Sequence, residues 1–445
     1  MPLRRSTIAV ISALLVAGGG AWWNVRRVAA AERMSARAAA TAARAEREVR
    51  DADVRFFEVR LAEDPASALD HARLAALYLQ RARDGGDEED YLHAERSARA
   101  SIALRRQNNG DAAAALTSAL LSQHRFSEAR DVARQLVTDE PQVNAYRALL
   151  GETCLELGDY DCARVVFDAI DPRARRSLPV APRLARWAEI RGDTVSARKI
   201  LSDALAAAQL EPDMPREQIA WFHLRLADLL LRQGRDRGAE RTLRDGLAVQ
   251  PGDPRLLAAM TRLAAAHHDW RAATQFGDSA IAIVLDPATL GVVSDAYVAL
   301  GDSAKAAEYV AAMEVAVGRQ AGTYHRAWSL FLLDHGRRIP DVLAAAQAEL
   351  DGGRRDVQGY DLLAWALYKS GRASDARAPM AAALAQGTQD AMLFYHAGMI
   401  ARAAGDPAAA RDYLQRALVI APSFDHAAPA IARAVLDSLR HTAID

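Results

Sequence analysis

The sequence predicts an all-α fold: an α-solenoid of stacked helix-turn-helix repeats, preceded by an N-terminal hydrophobic helix. Three observations lead to this prediction. From Pro65 onward, hydrophobic residues recur at helical spacing, and no alternating run of Val, Ile or Thr indicates a strand. Glycine followed five residues later by alanine recurs at a fixed period. Near the amino terminus lies one long segment without charge.

The glycine and alanine pairs define the repeat. The gaps between successive glycines are 34, 42, 67, 70 and 34 residues, so the two long gaps each hold about two periods. Weaker copies centred on His268 and Gly336 fill these gaps, and another lies at His124. A period of this length indicates an array in which each unit buries its apolar face against its neighbours. The pairs are Gly158/Ala163, Gly192/Ala197, Gly234/Ala239, Gly301/Ala306, Gly371/Ala376 and Gly405/Ala410.

Residues 1–25 predict a transmembrane anchor or a signal peptide. The 18 residues from Ile8 to Val25 carry no charge, and at about 1.5 Å per residue they can just cross a hydrocarbon core. We favour the uncleaved anchor, and a cleaved signal peptide is the alternative. Arginines flank both ends, so the orientation stays open. A short basic tail usually remains in the cytoplasm, which favours an extracytoplasmic, periplasmic location for the repeats.

The rest of the chain divides into four parts. Residues 26–65 have strong helix-forming composition and predict a helical stalk. A degenerate repeat is expected over 66–109, nine repeats over 110–424, and a capping helix with a short tail over 425–445. The nine predicted repeats begin at Gly110, Asn144, Leu178, Ala220, Pro254, Pro287, Gly322, Val357 and Ala391.

Unit 391–424, "AMLFYHAGMIARAAGDPAAARDYLQRALVIAPSF", resembles the tetratricopeptide repeat. It has a large residue at Phe394, small residues at Gly398 and Ala410, and a bulky residue at Leu414. Small residues at these positions let the two helices of a unit approach closely. Unit 144–177 fits the same pattern. The resemblance covers about 110–424, and it identifies the chain as similar to bacterial tetratricopeptide repeat proteins.

Composition and motifs argue against several kinds of site. The chain has 56 Lys and Arg residues against 57 Asp and Glu residues, so we expect no nucleic-acid partner. No His or Cys pair has the spacing of a metal site, and no catalytic or nucleotide-binding motif is found. We therefore expect no enzyme, cofactor or small-molecule substrate. A disulfide between Cys154 and Cys162 across the Gly158 turn is feasible. Two free, buried cysteines are the alternative, and we favour it.

The resemblance implies that the first helix of each unit lines a concave groove that binds a protein or peptide. Aromatic and arginine side chains are the types that dominate binding energies, and they concentrate near the carboxyl terminus. We therefore predict a non-enzymatic scaffold or adaptor at the cell envelope. The alternatives are a membrane-tethered regulator or assembly factor whose cytosolic repeats control an envelope-biogenesis enzyme, and, less favoured, an enzyme with a site in the groove. The predicted groove residues are Arg262, Arg326, Asp361, Trp365, Tyr368, Tyr395 and Arg402.

Overall fold

The structure, a computed structural model, describes residues 35, 37–86, 88–319 and 326–441, and in these ranges the regular structure is helical, as predicted. Successive helices pack as hairpins. They are α1 (37–63), α2 (Ala68–Gly85), α3 (Glu88–Leu104), α4 (Gly110–Ser122), α5 (Phe126–Asp139), α6 (Asn144–Leu157), α7 (Tyr160–Asp168), α8 (Ala181–Ile190), α9 (Thr194–Leu210), α10 (Arg216–Arg232), α11 (Asp236–Val249), α12 (Pro254–Ala266), α13 (Trp270–Ile281), α14 (Pro287–Ala299), α15 (Ser303–Arg319), α16 (Arg326–Asp334), α17 (Ile339–Asp351), α18 (Val357–Lys369), α19 (Ala373–Leu384), α20 (Ala391–Ala403), α21 (Pro407–Ile420) and α22 (Ala428–His441).

The turn inside each hairpin has a left-handed residue at the position that the repeat pattern assigns to glycine. Gly158 has φ +71° and Gly192 has φ +77°. His268, which replaces glycine in its unit, is also left-handed, at φ +59°. An aspartate commonly follows, and its carboxylate caps the second helix: Asp159 accepts a hydrogen bond from the Cys162 backbone N–H. The turn sequence therefore ends one helix and starts the next.

Small residues bring the two helices of a repeat together. Ala163 and Ala410 are fully buried. The ring of Phe167 fills the space above Gly151, and Leu414 does the same at Gly398. A Cβ at either glycine would overlap these side chains. The close approach predicted from the alternation of small and bulky residues is confirmed in these repeats.

Successive turns of the superhelix touch each other. The backbone N–H of Arg355 donates to the Leu157 carbonyl oxygen at 3.0 Å. The Thr388 hydroxyl donates to the Ile190 carbonyl at 2.6 Å across 198 residues of sequence. A Cβ on Gly158 would collide with the carbonyl oxygen of Arg355, so this glycine is required by the contact as well as by its φ. The hairpin turns of early repeats thus rest on the loops between late repeats.

Helix α1 packs against the solenoid, although the sequence predicts a stalk. Val54 is 1 % exposed, and Arg50 forms a buried ion pair with Asp84 at 2.8 Å. Within the described ranges no helix is long and apolar enough to cross a membrane. The predicted anchor or signal peptide, residues 1–25, lies outside the described residues.

Candidate functional site in the superhelix interior

The first helices of the repeats line the interior of the superhelix. Because the turns touch, α6, α8 and α10 face α16, α18 and α20 across a cavity of about 450 Å³. This partly open cavity takes the place of the open groove that the sequence suggests. Charged side chains make up about half of its lining. They are Arg186, Glu189, Arg225 and Arg232 on one wall, and Arg326, Asp356, Asp361 and Asp390 on the other.

Three arginines meet on the first wall, and two of them share one carboxylate. Glu189 Oε1 lies 2.5 Å from Arg232 Nη2, and its Oε2 lies 3.9 Å from Arg225 Nη2. Arg186 is paired with Glu156. Burial, followed by the charge of Arg232, lowers the pKa of Arg225. The Arg232 Nε atom is buried without a hydrogen-bond acceptor. This arginine cluster, Arg186, Arg225 and Arg232, therefore has donors that an additional anion could satisfy.

On the opposite wall, Asp361 links three repeats through hydrogen-bonded side chains of α16, α18 and α20. Asp361 accepts a hydrogen bond from Nδ1 of His396 at 2.7 Å and another from Nη2 of Arg326 at 2.8 Å. Burial alone would raise the pKa of the Asp361 carboxyl, but His396 and Arg326 outweigh it and hold the pKa below its usual range. A carboxyl with a lowered pKa is a poor proton acceptor at neutral pH. Both Asp361 and His396 are buried. Their arrangement suits a structural connection better than general acid-base catalysis.

The predicted aromatic residues lie in the core. Trp365 is 3 % exposed and Tyr395 is 5 % exposed. The indole Nε1 of Trp365 donates to Asp334 at 2.9 Å, and its ring stacks on His396 with centroids 4.0 Å apart. The prediction that these two rings are accessible to a partner is therefore wrong for this conformation. Helical position correctly places them on the inner face, but the neighbouring inner helices cover that face.

The remaining predicted residues fall in two places. Tyr368 is half-buried and stacks on Trp365 at 4.8 Å, beside the Asp361 connection. Arg402 is exposed, and its charge acts on the pKa of Tyr368, so it lies nearby. Arg262 is exposed and pairs with Asp228 at 2.9 Å, away from the other predicted residues. The structure thus brings six of the seven predicted residues together in the carboxyl-terminal repeats, three of them buried.

The sequence prediction did not single out Arg225. One signal was available, because Arg225 and Arg232 are seven residues apart and so share a face of α10.

A larger cavity, about 920 Å³, lies elsewhere, between α7, a short 3-10 turn (Ala174–Arg176), α8 and α9. Beside it, α7 has only nine residues, whereas α9 has 17. Its arginines and lysine are offset by three aspartates, and Lys199 already pairs with Asp203 at 2.8 Å. Its charge is nearly balanced, which gives it little selectivity for an anion.

The two cysteines are paired in the structure. The Sγ atoms of Cys154 and Cys162 lie 2.10 Å apart, so the disulfide is present and the two free cysteines that we favoured are not. It joins the end of α6 to the start of α7 across the Gly158 turn. Among the described residues, no group of three or more His, Cys, Asp or Glu side chains is arranged to hold a metal ion.

Comparison with known families identifies the repeats. Two tetratricopeptide repeat family models match the chain, one over residues 188–263 and the other over 116–179 and 362–423. The matched units are tetratricopeptide repeats. The matched segments lie on both walls of the interior cavity. No curated protein matches the sequence.

Several solved structures are similar to the chain at low identity. The APC/C hetero-tetramer Cut9-Hcn1 aligns over 88 % of this chain and 94 % of that one, at 12 % identity and a TM-score of 0.34. A tetratricopeptide repeat protein from Parabacteroides merdae aligns over 56 % and 94 %, at 15 % and 0.39. The human IFIT1 dimer with PPP-AAAA aligns over 79 % and 90 %, at 14 % and 0.42.

Proposed function

We propose that this protein is a non-enzymatic scaffold that binds an acidic segment of a protein partner inside the superhelix. The proposal depends on one observation: Arg225 and Arg232 converge on the single carboxylate of Glu189. Bringing guanidinium groups together in a partly desolvated cavity is unfavourable, as the lowered pKa of Arg225 indicates. A carboxylate from a partner would relieve that repulsion and could accept paired hydrogen bonds from one arginine.

The size of the cavity limits what enters it. Its 450 Å³ lies within the range of about 300–1,000 Å³ typical of small-ligand sites, so it admits a short acidic stretch and not a helix. The rest of the partner would lie along the inner edge of the solenoid. Arg326, Tyr368 and Arg402 are candidates for contacts there, since none of the three is fully buried.

The absence of a catalytic role is also part of the proposal. Asp361 and His396 form a titratable cluster in the interior, and such a cluster would favour an enzyme if it were accessible and tuned for proton transfer. Their burial and the lowered pKa of Asp361 favour the structural role.

Residues 1–25 add a proposed location. We infer that they act as a membrane anchor or signal peptide and hold the repeats outside the cytoplasm, as in bacterial envelope proteins. The alternative is a tethered regulator or assembly factor with cytosolic repeats that controls an envelope-biogenesis enzyme. An alkaline-phosphatase fusion at the carboxyl terminus distinguishes them. Activity supports an exported array, and a well-expressed but inactive fusion contradicts it.

A direct binding measurement tests the ligand chemistry. The probe is a fluorescein-labelled octapeptide of alternating glutamate and leucine, and the comparison peptide has glutamine at every glutamate. We expect fluorescence anisotropy to show the acidic peptide binding at least about tenfold more tightly, which corresponds to about 1.4 kcal/mol. Added salt should reduce the difference.

Arg225→Gln is the informative variant for this measurement. It removes one guanidinium from the arginine cluster without breaking a close ion pair, since its nearest carboxylate oxygen lies 3.9 Å away. It should reduce binding of the acidic peptide about tenfold, whereas the matched variant Arg262→Gln, at an exposed arginine outside the cavity, should leave it unchanged. Equal binding of both peptides, or equal loss in both variants, would overturn the proposed ligand site.

A further inference from the structure

Helix α1 has two apolar faces, and among the described residues of this chain only one of them is covered. On the inner face, Val54 is buried and Phe57 and Leu61 pack against the core formed with α2. On the opposite face Phe56 is 54 % exposed and Val59 is 60 % exposed. A surface helix of a monomer normally has polar residues on the side away from the core.

Six apolar residues of α1, five of them exposed and Ala42 half-buried, follow a heptad pattern. They alternate at spacings of three and four residues, which places them in one continuous seam along the helix. At about 1.5 Å per residue the seam is roughly 26 Å long. We call it the outer seam of α1, and it consists of Ala42, Ala45, Val49, Ala52, Phe56 and Val59.

From this pattern we infer that two copies of this chain associate through the outer seam of α1, with the two helices antiparallel. Bulky residues occupy its carboxyl-terminal half and alanines its amino-terminal half. Antiparallel pairing therefore places Phe56 against Ala45 of the second copy and Val59 against Ala42. A parallel pair in register would set Phe56 against Phe56 and alanine against alanine, which leaves overlap at one end and a gap at the other.

The charges beside the seam favour the same direction. In the antiparallel pair Glu48, which pairs with Arg44 of its own chain at 2.8 Å, also faces Arg55 of the second copy, and the two-fold axis repeats this contact. Parallel helices would bring Glu48 near Asp53, a like charge, and Arg55 near Arg60, whose charge is already paired with Asp70 at 2.9 Å. The antiparallel arrangement also places Glu46 near Asp53 of the second copy, but Glu46 already forms an ion pair with Arg216 of its own chain at 3.1 Å.

One helix of this length contributes a small interface, so we expect a weak, reversible dimer. The dimer does not depend on the proposed acidic-peptide site, because the outer seam of α1 and the interior cavity share no residue. It would give each particle two such sites.

Cysteine crosslinking of the full-length chain tests the geometry. In the antiparallel pair, two copies of residue 52 lie near the two-fold axis, whereas two copies of residue 59 lie about 26 Å apart along the helices. Ala52→Cys should therefore crosslink to itself with a bismaleimide that spans about 8 Å, and Val59→Cys should not. A mixture of Ala45→Cys and Phe56→Cys chains should give the mixed dimer. The unsubstituted chain, with its disulfide-bonded cysteines, measures the background.

Sedimentation velocity between about 1 and 100 μM provides the second measurement. Phe56→Glu should shift the chain to monomer, whereas Val195→Glu, at a 66 % exposed valine of α9, should not. Glu48→Arg alone should weaken the dimer, and Glu48→Arg with Arg55→Glu should restore it. A monomer at every concentration, or equal crosslinking of Ala52→Cys and Val59→Cys, would overturn the antiparallel dimer.

Discussion

The hydroxyl oxygen of Tyr160, at the start of α7, accepts a hydrogen bond from the backbone N–H of Val357 at 2.9 Å, across 197 residues of sequence. Val357 begins α18, and the first N–H groups of a helix have no partner within the helix. The tyrosine hydroxyl thus accepts a hydrogen bond from a backbone N–H at the helix start of a distant repeat, which would otherwise lack an acceptor. One turn of the superhelix is held to the next by this contact and by its neighbours at Arg355 and Thr388.

Removal of that hydroxyl should loosen the contact between turns. Tyr160→Phe leaves the Val357 N–H without its acceptor, and we expect a loss of about 1–2 kcal/mol in the free energy of unfolding. Urea unfolding followed by far-UV circular dichroism measures it. Tyr413→Phe, at a half-buried tyrosine of α21, serves as the control and should change stability by less than about 0.5 kcal/mol. Equal losses would show that the Val357 bond contributes nothing specific.

Two glycines with the same backbone conformation allow two energies to be measured separately. One is the steric cost of the contact between superhelical turns, and the other is the cost of placing a side chain at positive φ. Gly158 and Gly371 have φ values of +71° and +77°, but a Cβ meets the Arg355 carbonyl only at Gly158, and Gly371 has open space. Gly371→Ala should lose about 1–2 kcal/mol for the left-handed conformation alone. Gly158→Ala should lose at least about 1 kcal/mol more. Unfolding free energies that agree within error would contradict the contact between turns.

Burial changes what Trp365→Ala should do. The sequence alone suggests weakened binding of a partner by a folded array, but a tryptophan that is 3 % exposed fills the space between three inner helices. We expect a loss of about 3–5 kcal/mol in unfolding free energy, with the hydrogen bond to Asp334 also lost. Arg402→Ala, at an exposed residue of the adjacent repeat, should have little effect on thermal unfolding. Unchanged stability in Trp365→Ala would instead support the sequence prediction that Trp365 contacts a partner.

A histidine network predicts that stability depends on pH. His335 lies 2.9 Å from Asp295 through Nε2 and 2.8 Å from the Phe331 carbonyl through Nδ1, so both ring nitrogens face acceptors and both should carry protons. The bond to Asp295 raises the pKa of His335. Burial alone would lower the pKa of His426, but Asp425 and Asp295 raise it. Asp334 adds a further negative charge nearby.

The direction of the pH effect follows from these raised values. Each histidine binds its proton more tightly in the folded chain, so the stabilisation is complete below the unfolded pKa of about 6.5 and is lost as the pH rises through the folded values. We expect a lower melting temperature at about pH 9 than at about pH 6. His335→Gln should reduce that difference, and His71→Gln in α2 should not. If the melting temperatures of His335→Gln at the two pH values differ as much as those of the unsubstituted chain, the pH dependence comes from other groups.

Sequence patterns predicted the local structure because that structure depends on near neighbours. Gly158, Gly192 and His268 are left-handed in the turns where the period places them, and Ala163 is fully buried where a small residue was expected. These features depend on backbone sterics and on packing within one hairpin. Both are encoded within about 34 residues of sequence.

The interior could be predicted only in part. Repeat position places Arg232, Arg326 and Trp365 on the inner face, but it does not specify how tightly the superhelix winds. That winding results from small rotations summed over many repeats. It decides that Trp365 is covered and that Arg225 faces a cavity. A groove position therefore indicates a direction for a side chain and not its accessibility.

The contacts between turns also restrict how the number of repeats can change. In an open solenoid, loss of one whole unit from the middle leaves every remaining neighbour in place. Here the Tyr160 contact with Val357 requires the intervening repeats to complete one turn of the superhelix. Deleting a single unit between them would move every hairpin turn away from the loop on which it rests. Insertions and deletions should therefore be tolerated at the ends of the array or in complete superhelical turns. The architecture thus constrains the number of repeats as well as the fold of each one.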